Sequence, residues 1–146
     1  MKVAQWEHKG EKCIGVDLNG RWIDYSRAEA VFSLMERNTP KEPRKSLGEL
    51  IQRSEFNVRE LNTVLRFVEK LNLQDRFEID KKAVLKAPIE RPLKIVALGL
   101  NYALHAAEGN FKVPEEPIIF SKAGSSVIGP GETVRIPKGL GRMEHE

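Results

Sequence analysis

The chain of 146 residues contains few of the features that mark secreted, membrane or redox proteins. It has a single cysteine, Cys13, so no disulfide can form within it. Cys13 lies in an apolar segment, where we interpret it as a small buried hydrophobe and not as a catalytic thiol. The longest apolar run, residues 95–100, is too short to cross a bilayer, and the N-terminus lacks the apolar core of a signal peptide. We therefore expect a cytoplasmic protein with no membrane partner.

Charge of one sign is also scarce. The 24 Lys and Arg residues are interleaved with 21 Asp and Glu residues, which leaves a formal net charge of +3. The densest basic stretch, residues 41–45, contains Glu42 and no aromatic side chain on which a base could stack. Nucleic-acid binding usually needs a clustered basic surface, so we expect no nucleic-acid partner. A hydrophobic content of 40% beside 31% charged residues is typical of a soluble globular protein.

The first 25 residues have the pattern of a small β-sheet. Three segments alternate between apolar and polar residues or are mainly apolar, namely residues 2–8, 13–18 and 21–25. Lys9-Gly10 and Asn19-Gly20 separate them, and Asn-Gly favours a tight hairpin turn because it tolerates positive φ. We predict a three-stranded meander in which Trp6 and Trp22 pack the sheet.

From Ser26 the apolar period becomes helical. We predict a first helix that ends at Asn38-Thr39-Pro40, then a short amphipathic helix, then a longer helix with Asn57 as its N-cap. The apolar positions predicted to face the core are Ala30, Val31, Leu34 and Met35 in the first helix, Leu47, Leu50 and Ile51 in the second, and Val58, Leu61, Val64, Leu65, Val68 and Leu71 in the third.

Two prolines then mark a boundary. Residues 77–80 and 83–88 are predicted as short extended segments, and Pro88 and Pro92 follow them. Proline disfavours helix in the preceding residue and lacks a backbone donor, so it commonly lies between compact regions. We predict a small N-terminal α/β domain over residues 1–87 and a second domain over residues 93–146, in an α+β chain.

The second half opens with a segment suited to chemistry. Residues 94–99 form an apolar strand of the fully buried kind, which leads directly into Asn101-Tyr102-x-x-His105-x-x-Glu108. On a helical turn His105 and Glu108 share one face, so the carboxylate can orient or charge-stabilise the imidazole. Such a pair can serve as a general base acting on water. Taken alone, the same spacing also fits a histidine that packs the turn beside a solvated glutamate.

More motifs follow in a fixed order. They are Pro117-x-x-Phe120-x-Lys122, Ser125-Ser126-x-x-Gly129-Pro130-Gly131 and the ending Glu144-His145-Glu146. With Gly99-x-Asn101-Tyr102-x-x-His105-x-x-Glu108, this series resembles the catalytic domain of the fumarylacetoacetate hydrolase family over residues 93–146. Residues 1–87 fit the smaller leading domain that many members carry. We interpret Gly129-Pro130-Gly131 as a turn without a phosphate role, because no helix start follows it.

The resemblance implies a β-rich catalytic domain of mixed strands, truncated in this chain after its first part, and a homodimer. It implies a metal-dependent hydrolase that cleaves a carbon–carbon bond in acylpyruvate-type acids, that is, small β-diketo or 2-oxo acids. An isomerase or decarboxylase of the same family is one alternative, of the 2-hydroxyhepta-2,4-diene-1,7-dioate isomerase or oxaloacetate decarboxylase type. A non-catalytic chain that needs a partner chain is another.

The resemblance also implies roles for particular residues. His105 and Glu108 would activate water, and Glu146 would be the first of two glutamates that, with a later aspartate, bind Mg²⁺ or Mn²⁺. The sequence ends at Glu146, so we expect the 146-residue chain alone to bind the metal weakly or not at all. Lys122 would hold a substrate carboxylate, although a solvated lysine at a strand end explains it equally well.

Overall fold

The computed structural model describes residues 1–141, apart from the side chains of His105 and Glu108. The strands are β1 (Val3–His8), β2 (Glu11–Leu18), β3 (Arg21–Asp24), β4 (Val84–Lys86), β5 (Ile95–Gly99) and β6 (Ile118–Lys122). The helices are α1 (Tyr25–Arg37), α2 (Leu47–Gln52), α3 (Val58–Lys70), α4 (Gln74–Phe77) and α5 (Ala103–Glu108). Helices beside antiparallel sheets confirm the α+β class. Within residues 1–141, these helices are too short and too polar to cross a membrane.

The chain forms two compact units. The first comprises Met1–Glu90 and the segment that begins at Ile128, and the second is Arg91–Val127. The division into domains at residues 1–87 and 93–146 stays a prediction.

The first unit is built on a four-stranded antiparallel sheet in the order β3-β2-β1-β4. The predicted meander of β1, β2 and β3 is confirmed. Asn19 and Gly20 have φ values of 54° and 86°, as a tight hairpin turn with the right-handed twist of its strands requires. The indole rings of Trp6 and Trp22 pack edge to face with their centroids 5.4 Å apart. β4 pairs with the other edge of β1, where Trp6 lies opposite Leu85.

Helices α1 and α3 contribute most of the core above this sheet. Asn57 caps α3 as predicted, because its side-chain oxygen accepts hydrogen bonds from the backbone N–H groups of Arg59 and Glu60. The rings of Phe32 and Phe67 pack edge to face at 5.4 Å and join α1 to α3. The most deeply buried apolar side chains are Ile14, Val16, Ile23, Ala28, Leu61, Val64 and Val68.

The core-facing side of α1 differs from the prediction. Ala28 and Phe32 face the core, whereas Leu34 and Met35 are 53% and 61% exposed. The prediction counted only apolar residues, but the buried side of α1 also contains a charged residue, Glu29, which is 3% exposed. The helix can bury Glu29 because Glu29 has cationic partners. Of the predicted apolar positions, Val31 packs against the core, whereas the prediction is wrong for Leu34 and Met35.

Smaller differences concern segment ends. Ile51, Val58 and Leu71 were predicted to face the core and are 49%, 51% and 41% exposed, because each lies at or beside the end of a helix. Phe77 is not extended but closes α4, and Glu78 then makes an isolated antiparallel bridge to Ile23.

Polar contacts hold the connector between α1 and α2, residues 38–46. The Glu29 carboxylate accepts from Lys41 Nζ at 3.2 Å and from Arg44 Nε at 3.1 Å. The buried amide of Gln5 donates to the carbonyl oxygen of Lys45 at 2.8 Å. The connector is therefore fastened to both a helix and a strand, although it contains no helix or strand of its own.

The second unit contains an antiparallel pair, β5 and β6, in which Ile95 lies opposite Lys122 and Gly99 opposite Ile118. The expectation that β5 is fully buried is wrong. Val96 and Leu98 are 67% and 49% exposed, because in the described part of the chain β5 belongs to a sheet of only two strands.

The predicted turn at Gly129-Pro130-Gly131 is confirmed. Gly131 has a φ of 77°, and the N–H of Glu132 donates to the carbonyl oxygen of Gly129 at 3.2 Å. A hydrogen bond from the Gly129 N–H and the charge of Lys86 lower the pKa of the Glu132 carboxyl group. The Lys86 ammonium lies 3.6 Å from that carboxylate, so the turn is joined to the end of β4.

Candidate functional site

The candidate site is an excursion of residues 100–117 between two paired strands. It leaves β5 after Gly99 and enters β6 at Ile118, and these two residues lie opposite each other in the sheet. A Cβ on Gly99 would lie 3.3 Å from Ile118 Cγ2, so the two ends of the excursion are in close contact. The excursion is therefore attached to the sheet at a single place.

The excursion contains α5, which has defined ends. At the start, the Tyr102 carbonyl oxygen accepts from the N–H of Ala106 at 3.1 Å. At the end, the N–H of Phe111 donates to Ala106 at 2.8 Å and that of Asn110 donates to Ala107 at 3.1 Å. Together with a φ of 54° at Asn110, these bonds form a Schellman motif. The helical turn predicted for residues 105 and 108 is thus confirmed.

The junction between β5 and α5 has an unusual backbone. Leu100 has a φ of 49°, in the left-handed region that large side chains rarely adopt. Nothing in a leucine residue predicts this conformation. The sequence therefore did not identify Leu100 as a special position, although Leu100 lies between the apolar strand pattern and the Asn-Tyr-x-x-His motif.

A cleft of about 170 Å³ opens beside the excursion. One wall is residues 98–101, at the end of β5, and the other is residues 113–117, just before β6. The second wall was not predicted to belong to a site. Pro114 and Pro117, which bracket Glu115-Glu116, could have marked it as a stiff polar segment.

The structure describes one of the four predicted site side chains. Lys122 ends β6, and its ammonium lies 5.7 Å from the centroid of the Phe120 ring. The side chains of His105 and Glu108, and the whole of Glu146, lie outside the described residues. Their convergence with Lys122 stays a prediction.

A metal site cannot be assembled from the described donors. Among residues 1–141, leaving aside the side chains of His105 and Glu108, no group of three His, Cys, Asp or Glu side chains is arranged to hold a metal ion. Hard divalent cations take six or more oxygen ligands, several of them carboxylates. The described residues therefore do not form a cation site by themselves, and the predicted ligand Glu146 lies outside them.

Cys13 has the environment of an unreactive thiol. Burial, together with the negative charge of Asp24, raises its pKa to about 12. Since the thiolate is the reactive form, a thiol with this pKa stays protonated and weakly nucleophilic at neutral pH. This agrees with the interpretation of Cys13 as a packing residue.

Comparison with known proteins gives matches concentrated in the second half of the chain. The family described as fumarylacetoacetate (FAA) hydrolase C-terminal matches residues 94–146. A mitochondrial oxaloacetate tautomerase of Xenopus laevis is 52% identical over 54 residues, which cover 37% of this chain and 17% of that protein. A human mitochondrial oxaloacetate tautomerase is 53% identical over 51 residues, or 35% of this chain and 16% of that protein. An uncharacterised protein of Pyrococcus horikoshii is 54% identical over 56 residues, which cover 38% of this chain and 24% of that protein.

A solved structure extends the fold comparison to the first half. A protein assigned as HpcE from Mycobacterium smegmatis aligns with a TM-score of 0.54 and 24% sequence identity, covering 92% of this chain and 41% of that one. These matches show that residues 94–146 are similar to the C-terminal domain of the fumarylacetoacetate hydrolase family. The matched segment spans about a sixth of the length of the tautomerases.

Proposed function

We propose that the complete protein carrying this chain is an enzyme that transfers protons on a small 2-oxo acid, in the manner of a keto–enol tautomerase. One observation carries the proposal. His105 and Glu108 lie three residues apart on the capped helix α5, which is inserted between paired strands in the segment that matches the family. The names of the tautomerases from Xenopus laevis and human support this choice of reaction.

The proposed step uses the imidazole of His105 as a base. It takes a proton from the carbon next to the 2-oxo group, the electron pair of the broken C–H bond forms a C=C bond, and the carbonyl oxygen becomes an enolate oxygen. Return of the proton to that oxygen gives the enol. Histidine suits this role because its ordinary pKa of about 6.5 lies near neutral pH. The Glu108 carboxylate would favour the protonated imidazole and so raise its basicity.

Carbon–carbon bond hydrolysis is the second candidate, and the family description favours it. Here the same pair would take a proton from water while the oxygen of that water adds to the distal carbonyl of an acylpyruvate. The carbon–carbon bond then breaks, and its electron pair remains as the enolate of the 2-oxo acid. In both candidates Lys122, which is exposed at the end of β6, would hold the substrate carboxylate.

Three further features also belong to this proposal, the first two implied by the family resemblance and the third expected from the N-terminal sequence. They are a bound Mg²⁺ or Mn²⁺ ion with Glu146 among its ligands, a homodimer, and a cytoplasmic location. The metal would serve as a Lewis acid when bound. Metal content and oligomeric mass of the purified complete protein test the first two.

The experiment is steady-state kinetics of the complete protein with His105→Ala, Glu108→Gln and, as a matched control, His8→Ala. His8 lies on β1 in the first unit, with its ring nitrogen 3.8 Å from Asp80. We expect His105→Ala to lower kcat by roughly 10²–10⁴-fold, the usual contribution of a positioned general base, with bound metal unchanged. Glu108→Gln should cost less if the carboxylate only orients the ring.

Two substrates separate the candidates. Oxaloacetate tautomerisation and acylpyruvate cleavage are both followed by the absorbance of the enol form, and the reaction with the larger kcat/KM identifies the function. An unchanged kcat in the His105 variant on both substrates would refute the proposal.

A further inference from the structure

Leu100 is unusual among the residues with a left-handed backbone. The other non-glycine residues with positive φ in residues 1–141 are polar, and four of them are asparagines, which tolerate this region well. They are Lys9, Asn19, Asn38, Ser54, Asn72 and Asn110. Leu100 is the one apolar residue of the set. A strained conformation that the surroundings maintain is a common feature of functional segments.

Packing among the described residues does little to set the direction of α5. Ala106 is the one buried side chain among those described in this helix, at 1% exposure. Leu104 is 80% exposed, and Tyr102 and Phe111, just outside the helix, are 73% and 63% exposed. The orientation of a helix that buries so little depends mainly on the backbone at its two ends.

Both ends of α5 are defined by backbone conformation. The Schellman motif with Asn110 closes the C-terminal end. At the other end, two residues separate Leu100 from the first residue of α5, and Gly99 just before it is fixed opposite Ile118. A change of φ at Leu100 would therefore swing α5 relative to the β5–β6 pair.

We infer that Leu100 is a positioning residue. Its left-handed backbone conformation, and not its side chain, sets the direction in which α5 leaves β5, and thereby the position of residues 105 and 108 relative to the β5–β6 pair. This inference rests on the proposed function for its effect on catalysis. Its effect on the helix itself does not depend on that function.

Two substitutions separate backbone from side chain. Leu100→Asn removes the apolar side chain but suits the left-handed region, whereas Leu100→Val keeps an apolar side chain but adds a β-branch that disfavours that region. The matched control is Leu93→Asn, because Leu93 precedes β5, is 87% exposed and has no positive φ. A backbone role predicts that asparagine is tolerated and valine is not, and a side-chain role predicts the opposite.

The first measurement is hydrogen exchange of the peptide covering residues 100–117 in the complete protein. We expect exchange in Leu100→Val to be on the order of fivefold faster than in Leu100→Asn, which corresponds to a modest difference in backbone strain. Leu100→Asn and Leu93→Asn should match the unaltered protein. Equal exchange in the valine and asparagine variants would overturn the inference.

The second measurement is steady-state kinetics, which separates an effect on kcat from an effect on KM. We expect Leu100→Val to lower kcat at least about fivefold below Leu100→Asn with little change in KM, because the helix is misdirected while the substrate-holding residues stay in place. If Leu100→Asn loses kcat and Leu100→Val does not, the side chain is responsible and the inference is wrong. If His105→Ala keeps full kcat, the proposed function fails, and the exchange measurement alone decides the role of Leu100.

Discussion

Glu29→Gln is a direct test of how the first unit holds its connector. Glu29 lies on the buried side of α1 and is 3% exposed, yet it carries a charge. Its partners Lys41 and Arg44 belong to residues 38–46, which have no helix or strand of their own. The glutamine side chain has nearly the same size, so the substitution removes the charge while leaving the packing largely intact.

The expected magnitude follows from the exposure of the partners. Hydrogen bonds to a charged group contribute about 1.5–3 kcal/mol each when they are shielded from water. The side chains of Lys41 and Arg44 are 33% and 27% exposed, so water can replace part of the hydrogen bonding to Glu29 that they lose. We therefore expect Glu29→Gln to lower the free energy of unfolding by about 1–2 kcal/mol.

Removing both cations should cost more. In Lys41→Ala/Arg44→Ala, the Glu29 carboxylate stays buried without a counter-charge, which typically costs about 3–5 kcal/mol. In that background Glu29→Gln removes the unpaired charge, so its effect should change sign and become stabilising. The reversal distinguishes a buried ion pair from a packing effect, because lost packing would cost the same in both backgrounds.

Urea denaturation followed by far-UV circular dichroism measures all four proteins. Asp75→Ala is the control, because Asp75 pairs with Arg21 at 2.6 Å but its side chain is 90% exposed. We expect no measurable change in that variant. If Glu29→Gln destabilises the wild-type and double-variant backgrounds equally, the ion-pair explanation is wrong.

Two other predictions concern β2 and the start of α1. Gly15→Ala should lower the free energy of unfolding by about 1–3 kcal/mol, because the new Cβ would lie 2.5 Å from Trp6 Cδ1 and 2.7 Å from Ile79 Cδ1. A melting temperature equal to that of the wild type would contradict this prediction. Burial raises the pKa of the Asp24 carboxyl group above its value in the unfolded chain, so the contribution of Asp24 to stability should fall as pH rises from the unfolded-state pKa through the folded-state pKa. The asparagine in Asp24→Asn can still accept from the Arg27 N–H but does not titrate, so this pH-dependent decrease in stability should be absent from the variant. Identical profiles of melting temperature against pH for the two proteins would refute the assignment.

Local signals in the sequence predicted the elements of the first unit well. The Asn19-Gly20 turn and the Asn57 cap each depend on a few neighbouring residues, so they can be recognised without knowing the tertiary structure. The buried side of α1 could not be recognised in this way. Burial of Glu29 depends on Lys41 and Arg44, which reach it only in the folded chain.

The candidate site shows the same division. The order of motifs from Gly99 to Glu146 predicted the family match over residues 94–146, and the spacing of His105 and Glu108 predicted a helical turn. The left-handed backbone at Leu100 could not be predicted from the residue type, because leucine has no special tolerance for positive φ. Exposure of β5 was missed for another reason, since an apolar run alone does not tell how many strands lie beside it.

The pairing of β4 with β1 has a consequence for synthesis on the ribosome. β1 meets β2 within a few residues, but its second edge is covered only when residues 84–86 arrive, with Trp6 opposite Leu85. Contacts this distant in sequence form late and slow the folding of a domain. Until then the nascent chain presents an open strand edge, the kind of surface that pairs with other unfinished chains. A pause in translation before β4 has left the ribosome would therefore lengthen exposure of β1 to aggregation and to chaperones, whereas a pause after β4 has left it would not.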